Sequence, residues 1–217
     1  MTVEIKFCGL TRPQDARHAA SLGASYVGVI FAGGPRMLTP ERAAEVLHDV
    51  PGGVRRVGVF ADQSAAEVAR IVNAVGLDVV QLHGATDARR LDDLRGAVNA
   101  AIWPVIRVAG NQLPEATGEL LRLGDGLLLD AFVPGALGGT GVTLAWTGIA
   151  HELRRIRGNT PIILAGGLRP ENVAEAIAVL GPNVVDVSSG VESAPGIKDH
   201  ARMRAFRDAV SQASIPI

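Results

Sequence analysis

The chain of 217 residues has a single cysteine, Cys8, so no internal disulfide can form and the reducing cytoplasm is the expected compartment. Aromatic residues are also scarce, at 4% against a hydrophobic fraction of 47%. The core must therefore be built from Ala, Val, Leu and Ile, which suit helices packed over buried strands. An excess of one charge is missing as well: 21 basic and 22 acidic residues are interspersed and sum to -1. That removes any electrostatic case for nucleic acid. No apolar run approaches the roughly 18 residues of a membrane helix, and Glu4 and Lys6 fall where a signal peptide would be apolar. Five scattered histidines with no CxxC or HxxxH spacing predict no metal site.

What is present is an alternation of short apolar runs with amphipathic stretches, repeated eight times. The predicted strands are IKFCG, YVGVIF, RVGVFA, VVQLHG, VIRVAG, LLLDAF, IILAGG and VVDVSSG, mostly apolar on both faces, as strands covered on both sides are. A helix is predicted after each, most clearly in TRPQDARHAASLG, TPERAAEVLHDV, QSAAEVARIVNAVG, RPENVAEAIAVLG and KDHARMRAFRDAV, which open on turn or cap signals. A longer gap of about 35 residues separates the starts of LLLDAF and IILAGG, and its Gly-rich stretch VPGALGGTGV reads as a functional loop. Eight βα units spanning 1–217 predict one α/β domain, a (β/α)8 TIM barrel. An open doubly wound sheet would show a GxGxxG after its first strand, and none is there.

In such a barrel chemistry sits where strands end. Gly166 and Gly167 in LAGGL and Ser188, Ser189 and Gly190 in SSGVE follow strands seven and eight, the usual phosphate site of barrels, although glycines also simply make tight turns. Gly139 and Gly141 in GGTG extend that cradle or form a lid. Cys8 and Asp130 end strands one and six, on facing sides of the mouth, so a thiolate that takes a proton and a carboxyl that gives one would suit an isomerisation. The alternatives are a buried thiol acting as a small hydrophobe and an aspartate acting as a cap or ion-pair partner. Arg36 in GGPR clamps a carboxylate or is merely exposed. Gln81 and His83 alternate onto one face, as catalytic groups or as a pair that fixes a loop. Lys6 and Asp186 form a buried structural pair, or Lys6 raises the thiolate fraction of Cys8.

Taken in order, KFCGLT, VGVF, VQLHG, LLLDA with GGTG, ILAGGL.PENV and VDVSSGVE..PGIKD resemble the motifs of the phosphoribosylanthranilate isomerases across the whole chain. The resemblance implies the conversion of N-(5-phosphoribosyl)anthranilate to 1-(2-carboxyphenylamino)-1-deoxyribulose 5-phosphate in tryptophan biosynthesis, an Amadori rearrangement without a cofactor. It further implies that Cys8 is the general base, Asp130 the general acid, Arg36 a contact of the anthranilate end, and the LAGGL and SSG segments the phosphate site. The expected partner is a phosphorylated small molecule, with neither nucleic acid nor membrane, and the chain acts as a monomer or homodimer. Departures from the family pattern are Phe7 before the cysteine, Leu144 and Ala145 after GGTG, and a glycine before Pro35 and Arg36. Rival readings are a metal-dependent epimerase barrel, a synthase with a Lys-Glu pair, and a sensor that binds without turnover.

Overall fold

The computed structural model describes residues 2–84, 86–108, 112–130 and 141–213, with backbone alone for 141–147. Eight parallel strands close on themselves in chain order: β1 (Glu4–Phe7), β2 (Tyr26–Ile30), β3 (Arg55–Phe60), β4 (Val79–Leu82), β5 (Ala101–Arg107), β6 (Leu127–Asp130), β7 (Ile162–Ala165) and β8 (Val184–Val187). Between and after them run α1 (Pro13–Ser21), α2 (Pro40–Leu47), α3 (Ala65–Val75), α4 (Ala88–Arg95), α5 (Thr117–Leu123), α6 (Gly141–Ile156), α7 (Val173–Leu180) and α8 (His200–Gln212). This is the expected (β/α)8 barrel. Residues 131–140, which hold Gly139 and most of the Gly-rich insert, lie outside the described residues, and Gly141 opens α6.

Local chemistry sets several helix ends. Ser64 and Glu67 form a reciprocal capping box on α3, and Gly76 closes that helix in the left-handed region at φ 69°. Thr39 accepts from Arg42 N ahead of α2, and Asp199 accepts from the amides of Ala201 and Arg202 ahead of α8. The RPENV signal behaves differently: Asn172 does not cap α7 but accepts from Arg169 N at 2.9 Å and donates to Gly167 O at 3.1 Å, bracing the loop after β7. A 3-10 turn (Ser189–Val191) and a hairpin of β9 (Glu192–Ala194) and β10 (Ile197–Lys198) follow β8, an element the apolar pattern did not announce because each strand is so short.

Strand β5 starts at Ala101, upstream of the predicted run VIRVAG, because Ile102 and Trp103 pair with β4 despite Pro104 in the strand. The gain is burial: Trp103 meets Tyr26 edge-on inside the barrel, with ring centroids 4.9 Å apart. Tyr26, Val57, Val79, Trp103, Leu128, Ile163 and Val184 fill the lower barrel, while a larger apolar layer lies between strands and helices. Phe7 belongs to that outer layer, packed against Phe206 of α8, so the unusual residue before Cys8 points away from the mouth. Burial, with Glu4 beside it, pushes the Tyr26 phenol up to about 12 against the pull of Arg55.

Candidate active site

Strand alternation carries the second residue of each inward pair upward, from the apolar plug into the mouth. There a cavity of ≈ 470 Å³ is walled by Cys8 after β1, Gln81 of β4 and His83 after it, Arg107 of β5, Asp130 of β6, Gly166 and Gly167 after β7, and Asp186, Ser188 and Ser189 of β8 and its loop. Cys8, Asp130, Gln81, His83, Gly166, Gly167, Ser188 and Ser189 are thus brought around one cavity. One detail differs. β6 is separated from β1 only by β7 and β8 in the closed order, so Cys8 and Asp130 flank the cavity rather than face each other across its full width.

The loop after β7 turns through Gly166 and Gly167 at φ 94° and 65°, a conformation open to glycine and costly for other residues. Gly190 does not line the cavity; any side chain there would run into the Leu168 carbonyl, so it keys the β8 loop onto the β7 loop. Lys198 of β10 backs the same loop from behind, its Nζ donating to Ser188 O at 3.0 Å and to Glu192 Oε1 at 2.8 Å. Arg36 is not in the wall either. It sits behind Gly9, where an added Cβ would come within 2.7 Å of Arg36 Cδ and 2.8 Å of Ser188 Oγ. Its Nε and Nη2 donate to the two oxygens of Glu192 at 2.8 and 2.5 Å.

A family model for N-(5'-phosphoribosyl)anthranilate (PRA) isomerase matches residues 5–209. The isomerase of Paramagnetospirillum magneticum is 41% identical over 210 residues, covering 95% of this chain and 96% of that protein. That of Acidithiobacillus ferrooxidans is 43% identical over 205 residues, covering 94% and 95%. This chain belongs to the phosphoribosylanthranilate isomerase family. Among solved structures, the isomerase of Thermotoga maritima superposes with a TM-score of 0.84 at 33% identity, covering 97% of this chain and 99% of that one. A phosphoribosylanthranilate isomerase in complex with reduced 1-(o-carboxyphenylamino)-1-deoxyribulose 5-phosphate superposes with a TM-score of 0.82 at 31% identity, with the same coverage.

The electrostatics of the isomerase mouth centre on Cys8. Burial pushes its thiol up; Lys6, and more weakly Lys198, pull it back down, while Asp186 adds to the rise. Lys6 therefore acts on Cys8 in the anticipated direction, yet burial wins, and the thiol titrates above its ordinary value. For Lys6 itself burial pulls downward, but Asp186 and Cys8 overcome it, and the ammonium titrates above its ordinary value. Burial pulls the His83 imidazole down, against Asp130, which favours its charged form. The His83 imidazole thus titrates below its ordinary value.

Three wall or support residues escaped the sequence reading. Arg107 interrupts the apolar run VIRV at an inward position and stands in register with Asp130. Its charge within a strand was the available signal. Glu192 and Lys198 lie in the quoted motif VE..PGIKD, but only the hairpin shows that the two meet. Among the described residues no cluster of three His, Cys, Asp or Glu could hold a metal ion, and no helix is long and apolar enough to cross a membrane.

Proposed function

We propose that this isomerase converts N-(5-phosphoribosyl)anthranilate to 1-(2-carboxyphenylamino)-1-deoxyribulose 5-phosphate by an Amadori rearrangement, with Asp130 as general acid and Cys8 as general base. The observation that carries this reading is that a thiol and a carboxyl from different strands wall one cavity, beside two glycine- and serine-rich loops. Asp130 gives its proton to the furanose ring oxygen as the C1'–O bond breaks, leaving a Schiff base at C1'. Cys8 then removes the C2' proton. The electron pair moves to C1'–C2', giving an enolamine, which gains a proton at C1' and loses one from the C2' hydroxyl to become the aminoketose. A thiol whose pKa burial has raised yields less thiolate but a stronger base, which suits proton abstraction from carbon.

The loops at Gly166 and Gly167 and at Ser188 and Ser189 supply the phosphate site, with Gly190 and Lys198 holding the second in shape. Gly141, and Gly139 outside the described residues, are assigned to the same cradle or to a lid over it. Arg36, already gripped on one edge by Glu192, offers its remaining Nη1 edge to the anthranilate carboxylate. Gln81 and His83 complete the polar wall. The whole chain, 1–217, works as one barrel in the cytoplasm, without a cofactor, as a monomer or homodimer; one Thermotoga maritima structure is of generated monomers of a dimeric isomerase.

The test follows the loss of anthranilate fluorescence from freshly generated phosphoribosylanthranilate with wild type, Cys8→Ala and Asp130→Ala. Turnover by wild type and a drop of about 10²-fold or more in each variant is expected for loss of a general acid or base. Wild-type rates in both variants would end the assignment of roles. Binding of the reduced product by a wild type that does not turn over would favour a sensor.

A further inference from the structure

The deepest charged groups in the mouth leave one bonding position unused. Lys6 is fully buried, and its Nζ donates to Asp186 Oδ2 at 2.6 Å and to Gln81 Oε1 at 2.9 Å. These bonds pin the Asp186 side chain from below, in a register that sets Lys6 of β1 beside Asp186 of β8. The other carboxylate oxygen, Oδ1, is buried and has no hydrogen-bond partner among the described residues. Asp186 is 7% exposed and lines the cavity, so its carboxylate stands at the wall that meets a ligand. A buried carboxylate oxygen without a donor is costly, and a wall that keeps one is set up for a donor that arrives from outside.

We propose that Asp186 Oδ1 is the acceptor for a sugar hydroxyl of the substrate, with Lys6 as the positioning residue that fixes the carboxylate. The assignment rests on the isomerase reading above and deepens it. Oδ1 is acceptor-only and needs a donor. Of the substrate's polar groups, the phosphate and the anthranilate carboxylate are anionic acceptors that Asp186 would repel, whereas the hydroxyls are neutral donors. Strands β8 and β1 are neighbours, so Asp186 lies beside Cys8, whose target is the proton on C2'. The hydroxyl concerned is therefore on C2' or on the adjacent C3'. Its donation also spreads the Asp186 charge away from the thiol, so engagement of the sugar eases formation of the thiolate that the empty site suppresses.

The experiment measures, by calorimetry, binding of the reduced product analogue and of its two counterparts lacking the C2' or the C3' hydroxyl. Wild type should bind one deoxy analogue at least about tenfold more weakly than the parent, the worth of a charge-assisted hydrogen bond. Asp186→Asn should bind the parent more weakly and discriminate the same pair by less than about threefold, because the charge that strengthens the bond to the hydroxyl is gone. Lys6→Met should narrow the discrimination in the same way. Wild-type binding that ignores both hydroxyls overturns the assignment, and so does discrimination that survives intact in Asp186→Asn. The wild-type arm needs no variant to fold, and Lys6→Gln combined with Asp186→Asn removes both buried charges at once if the single variant unfolds. Wild type that turns over substrate but ignores the hydroxyls fails only this assignment. Wild type that neither turns over substrate nor binds the parent fails the isomerase reading and this one with it.

Discussion

The sulfur of Cys8 occupies space that any side chain on Gly28 would need: a Cβ there would lie 2.9 Å from Sγ and 3.3 Å from Lys6 Cε. The neighbouring strand thus makes room for the thiol and the lysine by leaving out a side chain. Gly28→Ala should keep the fold, since Gly28 is not among the positive-φ glycines, but should push Cys8 off its place. A shift of a reacting group by about 1 Å costs on the order of 10²-fold in rate. Steady-state kinetics should show kcat falling by about that factor while melting changes little.

The pH profile follows from the thiol. Burial raises the Cys8 pKa, so kcat/KM should climb with pH through a point above the ordinary thiol value of about 8.5. Lys6 opposes that rise, and Asp186 reinforces it once its partner is gone. Lys6→Met should therefore move the limb further toward alkaline pH, and it should also lower stability by about 3 kcal/mol or more, the penalty for stranding one member of a buried pair. A rate–pH profile that stays in place on loss of Lys6 would remove the lysine from control of the base.

Glu192 holds Arg36 and Lys198 together, with both carboxylate oxygens engaged. Loss of its charge should loosen the Arg36 guanidinium without touching acid or base. Glu192→Gln is expected to raise KM about tenfold with kcat nearly unchanged, the pattern of weakened ground-state and transition-state binding alike. Equal losses in kcat would instead place Glu192 in the chemical step.

A second buried carboxylate governs acid stability. Asp15, fully buried at the start of α1, accepts from Arg12 Nε and Nη2 at 2.8 and 2.9 Å, from Lys198 N at 3.2 Å, and pairs with His200 Nε2 at 2.9 Å. Burial by itself would raise its pKa, but the bonds from Arg12, His200 and Lys198 N outweigh it, and the carboxyl titrates below its ordinary value. A depressed carboxyl contributes stability that is present above its unfolded pKa, about 3.9, and is lost as pH falls through the folded value. Asp15→Asn should thus destabilise by about 3 kcal/mol at pH 7. The gap in denaturant midpoint between variant and wild type should close below about pH 4.

Much of this protein is determined by short-range chemistry that can be read along the chain. Apolar runs of strand length spaced one βα unit apart give eight strands, and Ser64 with Glu67, Thr39 with Pro40, and Asp199 fix helix starts through contacts within a few residues. The end of the barrel that carries chemistry is legible for the same reason: Cys8, His83, Asp130 and Ser188 are polar groups where apolar strands stop. Other features depend on pairs far apart in sequence, and only the closed barrel decides them. Lys6 and Asp186 are 180 positions apart, and Arg36 and Glu192 are 156 apart, so no local pattern shows that the first pair leaves one buried carboxylate oxygen without a donor, or that the second holds the Arg36 guanidinium from the far end of the chain. The same holds for the Cys8 thiol. Its place in the sequence marks it as a candidate base, but its pKa is the balance of burial against two lysines that the fold brings to it.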